Sequence, residues 1–145
     1  MKAVVQRVNK ATLDCEGMRI SEIEKGLVVY FGVACGDTPD KADYLAKKIT
    51  NLRVFCDENG KMNLSALQLG YSILCVSQFT LLADVSHGNR PGFTDAEEPV
   101  KANQLYCYFC DKLAEQGITV KRGVFGGDMT ILQENYGPVT IIYEI

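Results

Sequence analysis

The chain has 145 residues, of which 47% are hydrophobic and 23% charged, and its formal net charge is −3. This length predicts one domain over residues 1–145 with a core that needs no disulfide or metal, and the composition excludes a disordered chain. The acidic balance excludes a surface that attracts nucleic acid as a whole, so an RNA partner must meet a local patch. No signal peptide or membrane anchor is expected at the start of the chain, which makes the cytoplasm the expected location.

The first half of the chain predicts a hairpin, a buried strand and a helix. Strands are expected over 3–13 and 18–23, with a turn at Glu16-Gly17. Residues 26–34 are a continuous apolar run, which is typical of a strand buried on both faces. Residues 39–52 carry apolar side chains at helical spacing, and Asp37 and Thr38 precede them as candidate caps. A short strand over 53–56 and a turn over 57–60 follow.

The second half predicts a long strand over 72–83 and a second helix over 97–116, which ends before Gly117. Three further strands are expected over 118–121, 129–134 and 139–145. The last of them alternates apolar and polar side chains, so its apolar face would suit a subunit contact. The order of elements is therefore that of a mixed α/β domain with two main helices.

The six cysteines and the single histidine do not predict a metal site. Cys107 and Cys110 form a C-x-x-C pair, but they lie in a helical stretch with no second pair and no nearby histidine, so buried free thiols are expected instead. His87 lies among loop-forming residues, where a solvated histidine is the simpler interpretation and a general base the alternative. No metal or cofactor is expected.

Two segments carry the functional signal. Gly137 and Pro138 come directly before the last predicted strand. Gly137 has no side chain and Pro138 has no N–H, so the pair can leave two rigid carbonyl acceptors open to a ligand. A plain turn between two strands is the simpler interpretation. The segment 77–81 (SQFTL) brings three polar side chains into an apolar strand. Either these groups bond locally, or they line a pocket and aim backbone N–H groups and hydroxyls at a reacting carbonyl.

The chain resembles the D-aminoacyl-tRNA deacylases from end to end. The segments that carry the resemblance are 1–8 (MKAVVQRV), 61–65 (KMNLS), 77–81 (SQFTL), 88–91 (GNRP), 125–129 (FGGDM) and 135–140 (NYGPVT). The SQFTL strand and the N-x-GPVT tail are the most specific of these. The resemblance implies an α/β fold of mixed, mostly antiparallel sheets that form a barrel-like core with two main helices. It also implies a homodimeric enzyme that hydrolyses the ester of D-aminoacyl-tRNA without a metal.

The resemblance assigns the catalytic roles to Ser77, Gln78, Phe79 and Thr80. The backbone N–H groups around Phe79 and Thr80 would stabilise the oxyanion, while Gln78 and Ser77 support the pocket and the ribose 2′-hydroxyl of the tRNA helps to activate a water. The alternative is that Thr80 acts as a nucleophile, but its hydroxyl is weak without an adjacent base, and the motif supplies none.

Substrate binding is assigned by the resemblance to Gly137, Pro138, Arg7 and Met129. The Gly-Pro peptide would be cis and would reach from one subunit into the active site of the other, where its carbonyls hold the substrate's ammonium group and its backbone excludes an L side chain. Glycine, which has no side chain to exclude, should then be accepted to some degree. Arg7 would fix the orientation of the Gly-Pro segment, and Met129 would lie near the ligand.

Two other functions remain open for the sequence. An animal-type deacylase that acts on a wrongly charged L-amino acid differs in both signature motifs, so the intact SQFTL and GPVT segments argue against it. A non-enzymatic RNA- or nucleotide-binding module of the same fold would bind aminoacyl-tRNA with no loss of the ester.

Overall fold

The computed structural model describes residues 1–145. It contains eight strands, two α-helices and one short 3₁₀ helix. In chain order these are β1 (Lys2–Cys15), β2 (Met18–Ile23), β3 (Gly26–Gly32), α1 (Pro39–Thr50), β4 (Arg53–Cys56), β5 (Met62–Ser65), β6 (Ser72–Ser77), the 3₁₀ helix (Phe79–Leu82), α2 (Pro99–Glu115), β7 (Thr119–Arg122) and β8 (Met129–Glu144).

The long first strand organises the main sheet. β1 pairs antiparallel with β3 through its first half, with β2 through its second half and with β8 over most of its length. The sheet continues from β3 to β6 and β7 by parallel pairing, in the order β2-β1-β3-β6-β7. The Ser21 hydroxyl of β2 donates to the Arg122 carbonyl of β7 at 2.6 Å. Because this bond joins the two outer strands of that order, the sheet curls into a nearly closed barrel, as the resemblance implied.

Strands β3 and β6 are buried on both faces, as the apolar run predicted for β3. Phe31 and the other residues of its face pack against α1 and α2 in the larger core cluster, whereas Val28 of the opposite face belongs to a smaller cluster within the sheet. The ring of Phe31 stacks on Phe109 of α2 with 4.1 Å between centroids. The position of α2 over the end of β3 is therefore set by a close aromatic contact.

The predicted hairpin and both predicted helices are confirmed. Glu16 and Gly17 have φ of 51° and 76°, the left-handed conformations that a tight hairpin turn requires. The Glu98 side chain caps α2 by accepting from the N–H groups of Val100 and Lys101. Beyond the other end of α2, Gly117 has φ of 90°, which ends the helix where the sequence predicted. Neither helix is long and apolar enough to cross a membrane.

Asp37 does not cap α1 through its side chain. Thr38 is the N-cap residue and makes no side-chain cap bond, while buried Asp37 accepts hydrogen bonds from the Ala34 N–H, the Lys41 ammonium and the Met1 amine. Burial opposes the ionisation of Asp37, but these hydrogen bonds, led by that from Lys41, outweigh it and lower the pKa of the carboxyl below its ordinary value. Asp37 therefore ties the start of β1 to the first turn of α1.

The strand predicted over 72–83 is wrong in extent, and one strand was not predicted. The strand expected over 72–83 ends at Ser77, and Phe79–Leu82 forms the 3₁₀ helix. Gly32 of β3 makes room for this turn, because a Cβ at that position would come within 2.6 Å of the Leu82 side chain and 2.9 Å of the Gln78 carbonyl. The strand that was not predicted is β5, which pairs with β4.

The tail is one strand rather than two. β8 runs from Met129 to Glu144 and contains Gly137 and Pro138, which the sequence placed between two strands. The ladder with β1 absorbs the interruption through register shifts between Gln6 and Lys10. The predicted alternation over 139–144 is confirmed, since alternate side chains are half-buried and exposed.

Candidate active site

A cavity of about 490 Å³ lies beside the carboxyl end of β6. Phe31 and Val33 of the β3 segment and Val76 of β6 contribute apolar surface to its lining. Further lining comes from residues 96–106, at the start of α2, and from residues 125–131, where the loop after β7 leads into β8. Four separate parts of the chain therefore surround a mostly apolar cavity of the size that small ligands occupy.

The SQFTL segment enters this cavity with three of its five residues. Ser77, Gln78 and Phe79 line it, whereas Thr80 is exposed and is not part of the lining. The backbone N–H of Gln78 donates to the Phe31 carbonyl at 2.8 Å and so extends the β3–β6 pairing to the end of the strand. The Gln78 side-chain amide donates to the Thr80 hydroxyl. The Thr80 oxygen is therefore an acceptor for an amide, with no basic side chain bonded to it.

The backbone turns beside the cavity, directly after the lining residue Gln78. Gln78 has φ of −147° and ψ of 82°, and the chain turns after it into the 3₁₀ helix. Phe79 and Thr80 are the first two residues of this helix, and the first N–H groups of a helix have no acceptor within it. The phenyl ring of Phe79 is 57% exposed and packs edge-on against Phe93, with 5.0 Å between centroids. Phe79 thus marks the rim of the cavity.

Met129 lies in the cavity lining and supports the loop that precedes it. Its sulfur accepts from the Val124 N–H at 3.3 Å. A Cβ on Gly123 would lie 2.9 Å from that sulfur, and a Cβ on Gly127 would lie 2.9 Å from the Cys15 thiol. Both glycines therefore allow the loop to pack directly on the side chains of Met129 and Cys15, which fixes this part of the cavity.

The other three predicted binding residues lie elsewhere. Arg7, Gly137 and Pro138 are not part of the cavity lining of their own chain. The Gly137-Pro138 peptide is cis and exposed, and Gly137 has φ of 123°. Arg7 is only 6% exposed; its Nε donates to the Tyr136 carbonyl at 3.0 Å, its Nη1 donates to the Val54 carbonyl, and its guanidinium lies 4.5 Å from the centre of the Tyr136 ring.

These contacts make Arg7 a buried clamp on the residue before the Gly-Pro pair. A Cβ on Gly137 would come 2.8 Å from Arg7 Nη2, so the guanidinium and the Gly137 backbone are in direct contact. The planar fork of arginine serves two carbonyls and one ring at once, which a lysine ammonium would not do. The predicted site residues thus fall into two groups, Ser77, Gln78, Phe79 and Met129 at the cavity and Arg7, Gly137 and Pro138 at the exposed segment.

Several lining residues were not predicted as site residues. Phe31, Val33 and Tyr106 have the pattern of core positions, and Tyr106 donates its hydroxyl to the Cys75 carbonyl at 2.9 Å, while burial raises the pKa of this hydroxyl. Glu97 lies within the predicted second helix, but the helix begins at Pro99 and Glu97 lines the cavity. The FGGDM segment is the sequence signal for part of this lining, since Phe125 to Asp128 line the cavity beside Met129.

Comparison with known proteins places the chain in a family. A sequence model described as D-Tyr-tRNA(Tyr) deacylase matches residues 4–144. The chain belongs to the D-Tyr-tRNA(Tyr) deacylase family. One relative is the D-aminoacyl-tRNA deacylase of Aquifex aeolicus (strain VF5), which is 48% identical over 99% of this chain and 97% of the relative. Another is the D-aminoacyl-tRNA deacylase of Staphylococcus carnosus (strain TM300), which is 51% identical over 99% of this chain and 95% of the relative. Relatives with this name are hydrolases, so the predictions of the family and of a hydrolytic enzyme are confirmed.

Two solved structures share the fold of the chain. A structure described as a c-Myc DNA unwinding element binding protein is 42% identical, superposes with a TM-score of 0.93 and covers 100% of this family member and 99% of its own chain. A structure described as a probable eukaryotic D-amino acid tRNA deacylase is 16% identical, with a TM-score of 0.86 and coverage of 99% and 98%. The second likeness bears on the fold alone, and together they confirm the predicted fold class.

Proposed function

We propose that this chain hydrolyses the ester between a D-amino acid and the 3′-terminal adenosine of tRNA, releasing the free D-amino acid and the tRNA. The observation that carries the proposal is the meeting of Ser77, Gln78, Phe79 and Met129 in one cavity of a member of this family. Since aminoacyl-tRNA is consumed in translation, the proposed place of action is the cytoplasm. The proposed working form is a homodimer of the 1–145 domain.

The lining of the cavity favours the end of the tRNA as ligand rather than its phosphate backbone. No Lys, Arg or His side chain lines it, and most of its surface is apolar. A flat nucleobase and an amino acid side chain suit such walls, whereas a phosphate would lack a counter-charge. The 3′-terminal adenosine with its ester-linked amino acid is therefore the part of the substrate that enters. Affinity for the rest of the tRNA must come from outside the cavity.

The chemistry is proposed to depend on the scaffold rather than on a nucleophile. A water attacks the ester carbonyl, the negative charge that develops on its oxygen is stabilised by the N–H groups of Phe79 and Thr80, and the ribose 2′-hydroxyl of the tRNA helps to activate the water. Donors that are already fixed in a water-poor cavity stabilise such a charge without reorganisation. The bond from the Gln78 amide to the Thr80 hydroxyl supports this assignment, because an amide cannot deprotonate that hydroxyl.

Chiral selection is proposed to come from the partner subunit. Gly137 and Pro138 are exposed and lie outside the cavity of their own chain, so a second copy must supply them if they contact the substrate. Leu132 and Ile142 of β8 are 65% and 69% exposed, which suits burial against such a copy. With the ammonium held by the Gly-Pro carbonyls, a D side chain points outward and an L side chain meets the backbone. Glycyl-tRNA should accordingly be hydrolysed to some degree; no hydrolysis at high enzyme concentration would count against this mechanism.

Subunit complementation tests the proposal. Phe79→Pro removes one oxyanion N–H at a helix position that tolerates proline, and Gly137→Ala forces a Cβ against Arg7. Each variant alone should be nearly inactive on D-Tyr-tRNA, but mixed dimers contain one site with an intact cavity and an intact partner segment. A mixture that recovers a substantial fraction of wild-type activity supports the composite site. No recovery in verified mixed dimers refutes it, and a wild type that binds aminoacyl-tRNA without ester loss refutes the enzymatic function.

A further inference from the structure

Glu97 is an anionic side chain in a mostly apolar cavity lining. Its side chain is 11% exposed, although glutamate normally keeps its carboxylate in water. The other charged lining residue, Asp128, is exposed and also borders a second recess with Asp14 and Glu16. Glu97 is therefore the less exposed of the two charged residues in the lining.

The carboxylate of Glu97 is fixed in position by three donors. Oε2 accepts from the Lys101 ammonium at 2.6 Å and from the Gly36 N–H at 3.1 Å, and Oε1 accepts from the Glu98 N–H at 3.0 Å. The hydrogen bond from Lys101, followed by those from the two N–H groups, lowers the pKa of Glu97, so the group stays ionised at neutral pH. An ionised carboxylate offers about four acceptor positions, and three are occupied. One acceptor position remains for a ligand.

We infer that Glu97 accepts a hydrogen bond from the exocyclic amino group of the terminal adenine and so selects adenosine at the end of the tRNA. This inference rests on the proposed function, because it takes the 3′-terminal nucleoside as the occupant of the cavity. Adenine presents one amino donor on a flat apolar ring. The cavity offers a fixed anionic acceptor, Glu97, within a mostly apolar lining.

The substrate has a second donor, the α-ammonium of the amino acid. The proposed function assigns this group to the carbonyls of Gly137 and Pro138, which lie outside this cavity in the chain. Glu97, in contrast, comes from the segment that leads into α2 and belongs to the mostly apolar lining of this cavity. The adenine amino group is therefore the donor assigned to Glu97, and an interaction of Glu97 with the ammonium is the competing outcome of the test.

The test compares two small esters, 3′-O-D-tyrosyl adenosine and 3′-O-D-tyrosyl purine riboside, which differ only in the exocyclic amino group. A site that binds a donor through a charged acceptor should prefer the adenosine ester by about tenfold to a hundredfold in kcat/KM. In Glu97→Ala this preference should fall to within about twofold of one. Glu98→Ala is the matched control, since it removes a glutamate that caps the same helix end but does not line the cavity. It should keep the wild-type preference.

Three results would overturn the inference. The first is equal rates of the wild type on the two esters. The second is a Glu97→Ala enzyme that is slower but keeps the full preference for the adenosine ester. The third is a Glu97→Ala enzyme that keeps this preference but no longer prefers 3′-O-D-tyrosyl adenosine over the adenosine ester whose acyl group lacks the α-amino group. Glu97→Gln keeps a neutral acceptor of the same shape and should retain an intermediate preference, so the inference stays testable if the alanine variant folds poorly. The relative affinity for free adenosine and purine riboside, measured by calorimetry, should follow the same order. Because this measurement needs no turnover, it separates a failure at Glu97 from a failure of the proposed hydrolysis.

Discussion

Replacing Thr80 by alanine should reduce the hydrolysis of D-Tyr-tRNA only slightly. The Thr80 hydroxyl is exposed and accepts one hydrogen bond, from the Gln78 side-chain amide. Losing such a bond costs about 0.5–1.5 kcal/mol, which corresponds to about a two- to tenfold fall in rate if the whole cost appears in the barrier. Removing a true nucleophile costs far more, about a thousandfold or greater. The two mechanisms therefore predict results separated by at least two orders of magnitude.

The assay is single-turnover hydrolysis of D-Tyr-tRNA with enzyme in excess, so that product release does not hide the chemical step. Thr80→Ser keeps the hydroxyl and should match the wild type. Gln78→Ala removes the donor together with a lining side chain, and the double variant should be hardly slower than Gln78→Ala alone, because the bond to Thr80 is already lost in that variant. A loss of more than about a thousandfold in Thr80→Ala, with normal activity in Thr80→Ser, would refute the scaffold mechanism.

Three further predictions concern the elements that support the site. Phe109→Ala removes a fully buried ring that stacks on Phe31, and it should lower the free energy of unfolding in urea by about 3–5 kcal/mol; a loss below about 1 kcal/mol would contradict the packing described. Gly137 has φ of 123°, and Gly137→Ala would bring a Cβ to 2.8 Å from Arg7 Nη2. The value of kcat/KM for D-Tyr-tRNA should therefore fall at least about tenfold. Wild-type activity in this variant would show that the segment is not held as described. Asp37 has a lowered pKa in the fold, so its charge stabilises the protein above about pH 4, the ordinary range of an aspartate in an unfolded chain. The gap in urea midpoint between wild type and Asp37→Asn should be constant above that pH and shrink below it, and a gap that widens on acidification would contradict this.

Local sequence patterns predicted most of the fold because they act within single elements. The helices over 39–52 and 97–116 were found within two residues of their observed ends, since their apolar spacing and their flanking residues are local signals. The prediction of a strand over 72–83 was wrong beyond Ser77, and the reason is non-local. Phe79 and Thr80 favour strands, but the chain turns there and packs closely on Gly32, which is far away in sequence and has no side chain to block the approach. A single-sequence pattern contains no information on that contact.

The candidate site divides in the same way. Ser77, Gln78, Phe79 and Met129 were identified through two motifs and lie together in the cavity. The apolar lining residues were not identified, because an aromatic side chain at a core position has the same local pattern whether it faces another side chain or an empty cavity. Glu97 was missed because its partner Gly36 becomes a neighbour only when the segment after β3 meets the residues before α2, while its local pair with Lys101 is also typical of a solvent-exposed helix start.

The stereochemistry of hydrolysis tests the central claim most directly. Matched D-Tyr-tRNA and L-Tyr-tRNA, prepared on the same tRNA, are incubated with equal concentrations of the wild-type enzyme, and the loss of ester is followed for each. The proposed site, in which the partner's Gly-Pro backbone excludes an L side chain, predicts rapid loss of the D ester and loss of the L ester at no more than its spontaneous rate. Equal enzymatic rates on the two esters would contradict the account.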